Sequence, residues 1–140
     1  MRKLGLIAGG GSLPVELADH CEAAGRAFAV MRLRGFAEPS LARYPGVEVG
    51  IGEVGKAFKA LRAEGCEVVC FAGDVKRPDF GALMPDARGL LIMPSLIKAA
   101  RQGDDALLRR VLDEFEKEGF EIEGAHEVVG EMTLPRGRLG

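Results

Sequence analysis

The residues Leu4-Gly5-Leu6-Ile7-Ala8 run apolar without alternation and then break into Gly9-Gly10-Gly11-Ser12-Leu13-Pro14. A short unbroken apolar run fits a parallel strand buried on both faces. Serine suits a helix N-cap, and proline suits the first turn, where its missing N–H would be unpaired anyway. Leu13, Leu17, Ala18, Cys21 and Ala24 then recur at helical spacing as far as Gly25, and Ala27 to Leu33 is a second apolar run. Strand, glycine turn, helix and strand within about 30 residues make a βαβ unit. No other feature limits the fold as much, because parallel strands need a crossover between them and helices over both sheet faces.

The pattern recurs downstream. Arg34 to Gly46 is polar and turn-rich, with Pro39 and Pro45, and reads as a loop. Val47 to Ile51 alternates and predicts a short strand near an edge. Val54, Phe58 and Leu61 mark a helix that stops at Gly65, and Cys66 to Phe71 is a continuous apolar strand. The last third reads as helical. A short helix over Ser95 to Arg101 closes at Gln102-Gly103, and Asp104 caps a longer one with a wide stripe of Leu107, Leu108, Val111, Leu112 and Phe115. Phe120 to Ile122 is the last predicted strand. Strands alternating with short helices predict an α/β fold, a Rossmann-like three-layer domain with a mainly parallel sheet. Residues 1–132 form that domain in this reading, and the Arg-, Gly- and Pro-rich residues 133–140 read as the start of an interdomain linker.

Other classes are disfavoured. Nineteen basic against 21 acidic residues give a net charge of -2, so no basic footprint for duplex nucleic acid is expected. No apolar run reaches the roughly 20 residues that span a bilayer. Leu4 to Ala8, behind Met1-Arg2-Lys3, is shorter than the roughly 7–15 residues of a signal-peptide core, so a cytoplasmic protein is expected. No amphipathic basic helix declares itself as a membrane-surface element. Cys21, Cys66 and Cys70 read as buried structural thiols. His20 and His126 are too far apart in sequence to argue for a metal site or a nucleophile–base pair.

Two loops stand out as candidate binding elements. Gly9, Gly10, Gly11 and Ser12 lie where a strand feeds a helix, and amides there, with the positive end of the helix dipole, suit an anion. The run matches neither the dinucleotide fingerprint, since Pro14 holds the third glycine position, nor a P-loop, since no Lys-Ser or Lys-Thr follows. A tight turn needing positive φ is the alternative. Gly73, Asp74, Lys76 and Arg77 follow another strand, on the side where open α/β sheets bind ligands. Lys76 and Arg77 can neutralise a diphosphate, and Asp74 can hold a divalent cation or a ribose hydroxyl. A solvated loop with a local ion pair is the alternative there. For Asp104 and Asp105, capping the helix is the simpler role, and Asp86 reads as a turn residue.

The ordered set Gly9-Gly10-Gly11-Ser12-Leu13-Pro14, Gly73-Asp74-Val75-Lys76-Arg77-Pro78, Met84-Pro85-Asp86, Gly103-Asp104-Asp105-Ala106-Leu107-Leu108-Arg109 and Glu118-Gly119-Phe120 resembles the LpxI-type UDP-2,3-diacylglucosamine pyrophosphatases. The resemblance runs over essentially the whole chain. It implies hydrolysis of a UDP-linked, doubly acylated glucosamine to 2,3-diacylglucosamine 1-phosphate (lipid X) and UMP, a magnesium-dependent step of lipid A synthesis at the cytoplasmic side of the inner membrane. It also implies peripheral membrane contact. Family members are about twice this long and hold the lipid between two domains, so the chain reads as the N-terminal domain, without the catalytic aspartate. Carried over onto the matching positions, the Gly9–Ser12 and Gly73–Arg77 loops take a substrate-cleft role, with no catalytic residue and with Mg2+ ligands mainly in the other half. A nucleotide-binding regulatory module and a purely structural docking domain are the competing expectations.

Overall fold

The structure is a computed structural model and describes residues 2–76 and 79–133. Strand β1 (Leu4–Ala8) feeds helix α1 (Leu13–Ala24), and β2 (Phe28–Leu33) follows. A 3-10 turn over Pro39–Arg43 leads to β3 (Gly46–Val49), α2 (Val54–Ala63) and β4 (Val68–Ala72). Helices α3 (Ala87–Gln102) and α4 (Asp104–Lys117), the two-residue strand β5 (Glu121–Ile122) and α5 (Ala125–Thr133) complete the described chain.

The five strands form one parallel sheet in the order β3-β2-β1-β4-β5. Leu4 sits opposite Phe28 on one side and Val68 on the other, so β1 is central. That position explains its unbroken apolar run, since all five of its residues are buried. Alternate residues point to opposite faces. Leu4, Leu6 and Ala8 pack with Leu17 and Cys21 of α1 and Val128 of α5, whereas Ile7 packs with Phe58 and Leu61 of α2 and Phe115 of α4. The result is the expected three-layer arrangement. The chain moves outward from β1 through β2 to β3 and then returns to the other side of β1 as β4. The order therefore reverses between β1 and β4, and their carboxyl ends flank the crevice where such sheets bind ligands.

Several local expectations are corrected. Helix α3 begins at Ala87 rather than Ser95 and runs through Pro94. Proline removes one helical N–H and crowds the carbonyl four residues back, which marks a break in a sequence reading. Packing of Gly89, Ile92, Leu96 and Ala99 on the buried side outweighs that cost. Asp86 is the N-cap of this helix, with Oδ1 accepting from Gly89 N at 2.9 Å and Oδ2 accepting from Lys56 N at 2.8 Å. Burial pushes its carboxyl up, but the amides of Gly89 and Lys56 outweigh this and hold it below the ordinary value. Gly103, not Asp104, occupies the N-cap of α4, and Asp104 and Asp105 lie in its first turn, where they complement the dipole. Helix α5 has no counterpart in the sequence reading.

Candidate functional site

The two candidate loops meet. Gly9 N donates to Ala72 O at 2.8 Å, Gly10 N to Asp74 O at 2.8 Å and Asp74 N to Gly10 O at 2.9 Å. This short antiparallel bridge joins the end of β1 to the end of β4. It also uses up two amides that the sequence suggested would be bare. The amides of Gly11, Ser12 and Leu13 remain, with no acceptor among the described residues. Ser12 occupies the N-cap of α1, but its side chain makes no cap hydrogen bond, and both Gly11 and Ser12 are exposed. The Asp74 carboxylate lies close by: a Cβ on Gly11 would stand 3.4 Å from its Oδ2.

Beside these loops opens a cleft of about 450 Å3. Gly73, Val75 and Lys76 contribute one wall, while α3 and α4 contribute Met93, Leu96, Leu107 and Leu108 to the other. Its floor includes Ile7, Leu33, Val49 and Phe71, at the carboxyl ends of the strands. The lining is largely apolar. Lys76 is exposed and has no ion-pair partner among the described residues, whereas Asp104 and Asp105 add negative charge. Of the predicted residues, Gly73 and Lys76 line the cleft. Gly9, Gly10, Gly11, Ser12 and Asp74 adjoin it through the loop bridge without lining it. Arg77 lies outside the described residues.

The apolar walls are what sequence reasoning missed. The signal was the breadth of the α4 stripe, which is wider than core packing uses. Phe115 is buried, but Leu108 remains 50% exposed and Val111 is half-buried, and all three line the cleft.

Ion pairs hold the α3–α4 wall. Arg88 donates to Glu114 at 2.7 Å and to Glu118 at 2.5 Å, and Arg110 donates to Glu114 at 2.7 Å. Burial would push Glu114 up, but Arg88 and Arg110 outweigh it and keep this carboxylate below the ordinary range. Glu114 is therefore a charged clamp at neutral pH rather than a proton donor. Burial pushes the Cys66 thiol up to about 11 and the Cys70 thiol up to about 12, so neither supplies a thiolate nucleophile at neutral pH. All three cysteines are buried, in keeping with a structural role.

Metal chemistry has little to build on among the described residues. Among the described residues no group of three His, Cys, Asp or Glu side chains gathers. Asp74 alone is too small a donor set for magnesium, which takes one or two carboxylates together with substrate phosphates and water. The described residues do not make a magnesium site. No helix among the described residues is long and apolar enough to cross a membrane.

Comparison with known proteins adds two findings. The family model described as the LpxI N-terminal domain matches residues 3–132. The UDP-2,3-diacylglucosamine pyrophosphatase LpxI of Caulobacter vibrioides is 86% identical over 140 residues, a match covering 100% of this chain and 50% of that relative. The chain thus spans about half the length of the curated relative it matches.

Proposed function

The chain belongs to the LpxI family, and from that premise we propose that it forms one wall of the substrate cleft of a UDP-2,3-diacylglucosamine pyrophosphatase. The reaction splits the substrate into lipid X and UMP during lipid A synthesis. The observation that carries this reading is the juxtaposition of an apolar cleft with one lysine, unpaired among the described residues, and with the amides at the start of α1. The cleft of about 450 Å3 is walled by leucines and methionine, and Lys76 stands at its edge. A doubly acylated nucleotide sugar has this same division, with apolar tails at one end and a diphosphate at the other.

The residues divide the work accordingly. The free amides of Gly11, Ser12 and Leu13, at the positive end of α1, favour an anionic oxygen, and Lys76 adds a full positive charge. Gly9, Gly10, Gly73 and Asp74 fix the two loops against each other. Hydrolysis of a diphosphate needs water directed at phosphorus and stabilisation of charge on the non-bridging oxygens. This chain provides for the second need, and among its described residues no group is placed to activate the water. We assign Mg2+ and the general base to the half of the relative's length that this chain does not match. We place the activity in the cytoplasm with peripheral contact at the inner membrane.

A second reading, a regulatory nucleotide-binding module, draws on the strand order, because a reversal point beside β1 is where dinucleotides bind in related sheets. Calorimetry of the 140-residue chain against lipid X, UMP, UDP and NAD separates the two. Binding of lipid X or the uridine nucleotides, weakened about tenfold by Lys76→Ala, is the expected outcome. Preference for NAD supports the regulatory module. The chain alone is expected to leave UDP-2,3-diacylglucosamine intact, and robust turnover by it refutes the division of labour.

A further inference from the structure

Helix α3 presents two faces of different character. Gly89, Ile92, Leu96, Ala99 and Ala100 are buried. On the opposite side Leu90 is 65% exposed and Leu91 75% exposed, with Pro94, Lys98 and Arg101 also exposed. At 3.6 residues per turn these five residues fall within an arc of about 100°. Met84, just ahead of the helix, is 87% exposed. Two adjacent leucines left in water are costly unless something covers them.

The charge on this helix has one sign. The sixteen residues of α3 carry Arg88, Lys98 and Arg101 and no Asp or Glu, although the chain as a whole has a net charge of -2. Arg88 is occupied by Glu114 and Glu118, but Lys98 and Arg101 have no acidic partner within 4 Å among the described residues. Helix α2, packed alongside, also carries only basic side chains; Lys56 pairs with Glu53 and Arg62 with Glu118, and Lys59 has no acidic partner within 4 Å among the described residues. The acids that flank the helix in sequence are Asp86, its N-cap, and Asp104 and Asp105, which line the cleft.

We propose that the outer face of α3 docks on an anionic lipid bilayer. Leu90, Leu91 and Pro94 enter the boundary between head groups and acyl chains, and Lys98 and Arg101 meet anionic head groups. Apolar side chains flanked by unpaired Lys and Arg are the composition of a helix that lies in the membrane interface. A second copy of the chain fits less well, because an isologous pairing of α3 with itself would bury Lys98 and Arg101 without an acidic partner. The inference deepens the peripheral membrane contact proposed above and rests on it. Vesicle binding and ligand binding are separate measurements, so either can fail while the other holds.

The test is co-sedimentation of the 140-residue chain with vesicles of phosphatidylethanolamine containing about one third phosphatidylglycerol, and with vesicles of phosphatidylcholine alone. The chain is expected to bind the anionic vesicles and to release from them as salt is raised. The double variants L90Q/L91Q and K98Q/R101Q are each expected to bind about tenfold more weakly, with circular dichroism unchanged because all four side chains are exposed. No binding by the unaltered chain overturns the proposal, as does binding that both variants retain. Self-association abolished by L90Q/L91Q, with no vesicle binding, assigns the face to a second copy and also overturns it.

Discussion

Gly73 and Gly11 both have positive φ, at 96° and 87°, yet they answer to different constraints. A Cβ on Gly73 would stand 2.7 Å from the carbonyl oxygen of Gly10 and 2.8 Å from a Pro14 ring carbon. Those neighbours are backbone and a rigid ring, so they cannot yield without opening the bridge between the two loops. A Cβ on Gly11 would approach only the Asp74 carboxylate, at 3.4 Å. Gly11→Ala is therefore expected to cost only the conformational strain, about 1–2 kcal/mol. Gly73→Ala adds a steric clash and should cost clearly more, and urea denaturation of the two variants gives the comparison. If Gly11→Ala is the more damaging, the loop bridge is not what fixes this corner. The same contrast shows what was legible. The glycine cluster, its place between strand and helix, and the second loop at the end of another strand could be read from residue types, but not that the two loops touch. That Ala72 at the end of β4 and Asp74 just beyond it take up the Gly9 and Gly10 amides could not, because these carbonyls are more than 60 residues away in sequence and nothing local encodes the pairing.

Among the elements, α3 departs most from its sequence signature. Pro94 reads as a stop, yet a proline on the exposed side costs one hydrogen bond and can be tolerated where the buried side packs well. Once the helix is continuous, its true start at Ala87, capped by Asp86, becomes visible, and so does the single basic and apolar outer face that a short helix from Ser95 conceals. Asp86 has a larger part than a turn residue. It caps α3 and at the same time accepts from Lys56 N, tying α3 to α2. Its carboxyl is held below the ordinary value in the folded state, because the accepted amides outweigh burial. Such a group contributes its full stability above its unfolded pKa and loses it as pH falls through the folded one. Asp86→Ala is expected to lower stability by about 1–2 kcal/mol near neutrality. The gap between variant and unaltered chain should stay constant down to about pH 5 and shrink below about pH 4. Denaturant titrations at several pH values measure it. A gap that persists undiminished into strong acid would mean that the carboxylate charge is not what the cap uses.

The molecule as a whole depends on covering a parallel sheet on both faces, and the second cover is where the sequence was least informative. The βαβ units and the three layers followed from alternating strand and helix patterns, but the strand order did not. Nor did α5, whose short stretch Ala125-His126-Glu127-Val128-Val129 carries too few apolar positions to declare a period. Yet Val128 is fully buried, in the same core as Leu4, Leu17, Val68 and Cys70, and Ala125 and Val129 pack against that core. Helix α1 covers the β1–β2 side of this face, and α5, packed on both α1 and β4, covers the rest. Without it, apolar residues of β4 would face water, and no other described element is in position to replace it. Val128→Ala is therefore expected to cost about 2 kcal/mol, and Val129→Ala, at a half-buried position, distinctly less. A chain ending at Gly124 should lose its sharp thermal transition and bind a hydrophobic dye such as ANS, because exposed core with residual secondary structure gives that response. Cooperative unfolding of that shortened chain, with stability close to that of residues 1–140, would place α5 outside the folding unit and would move the domain boundary back from residue 132 to the end of β5.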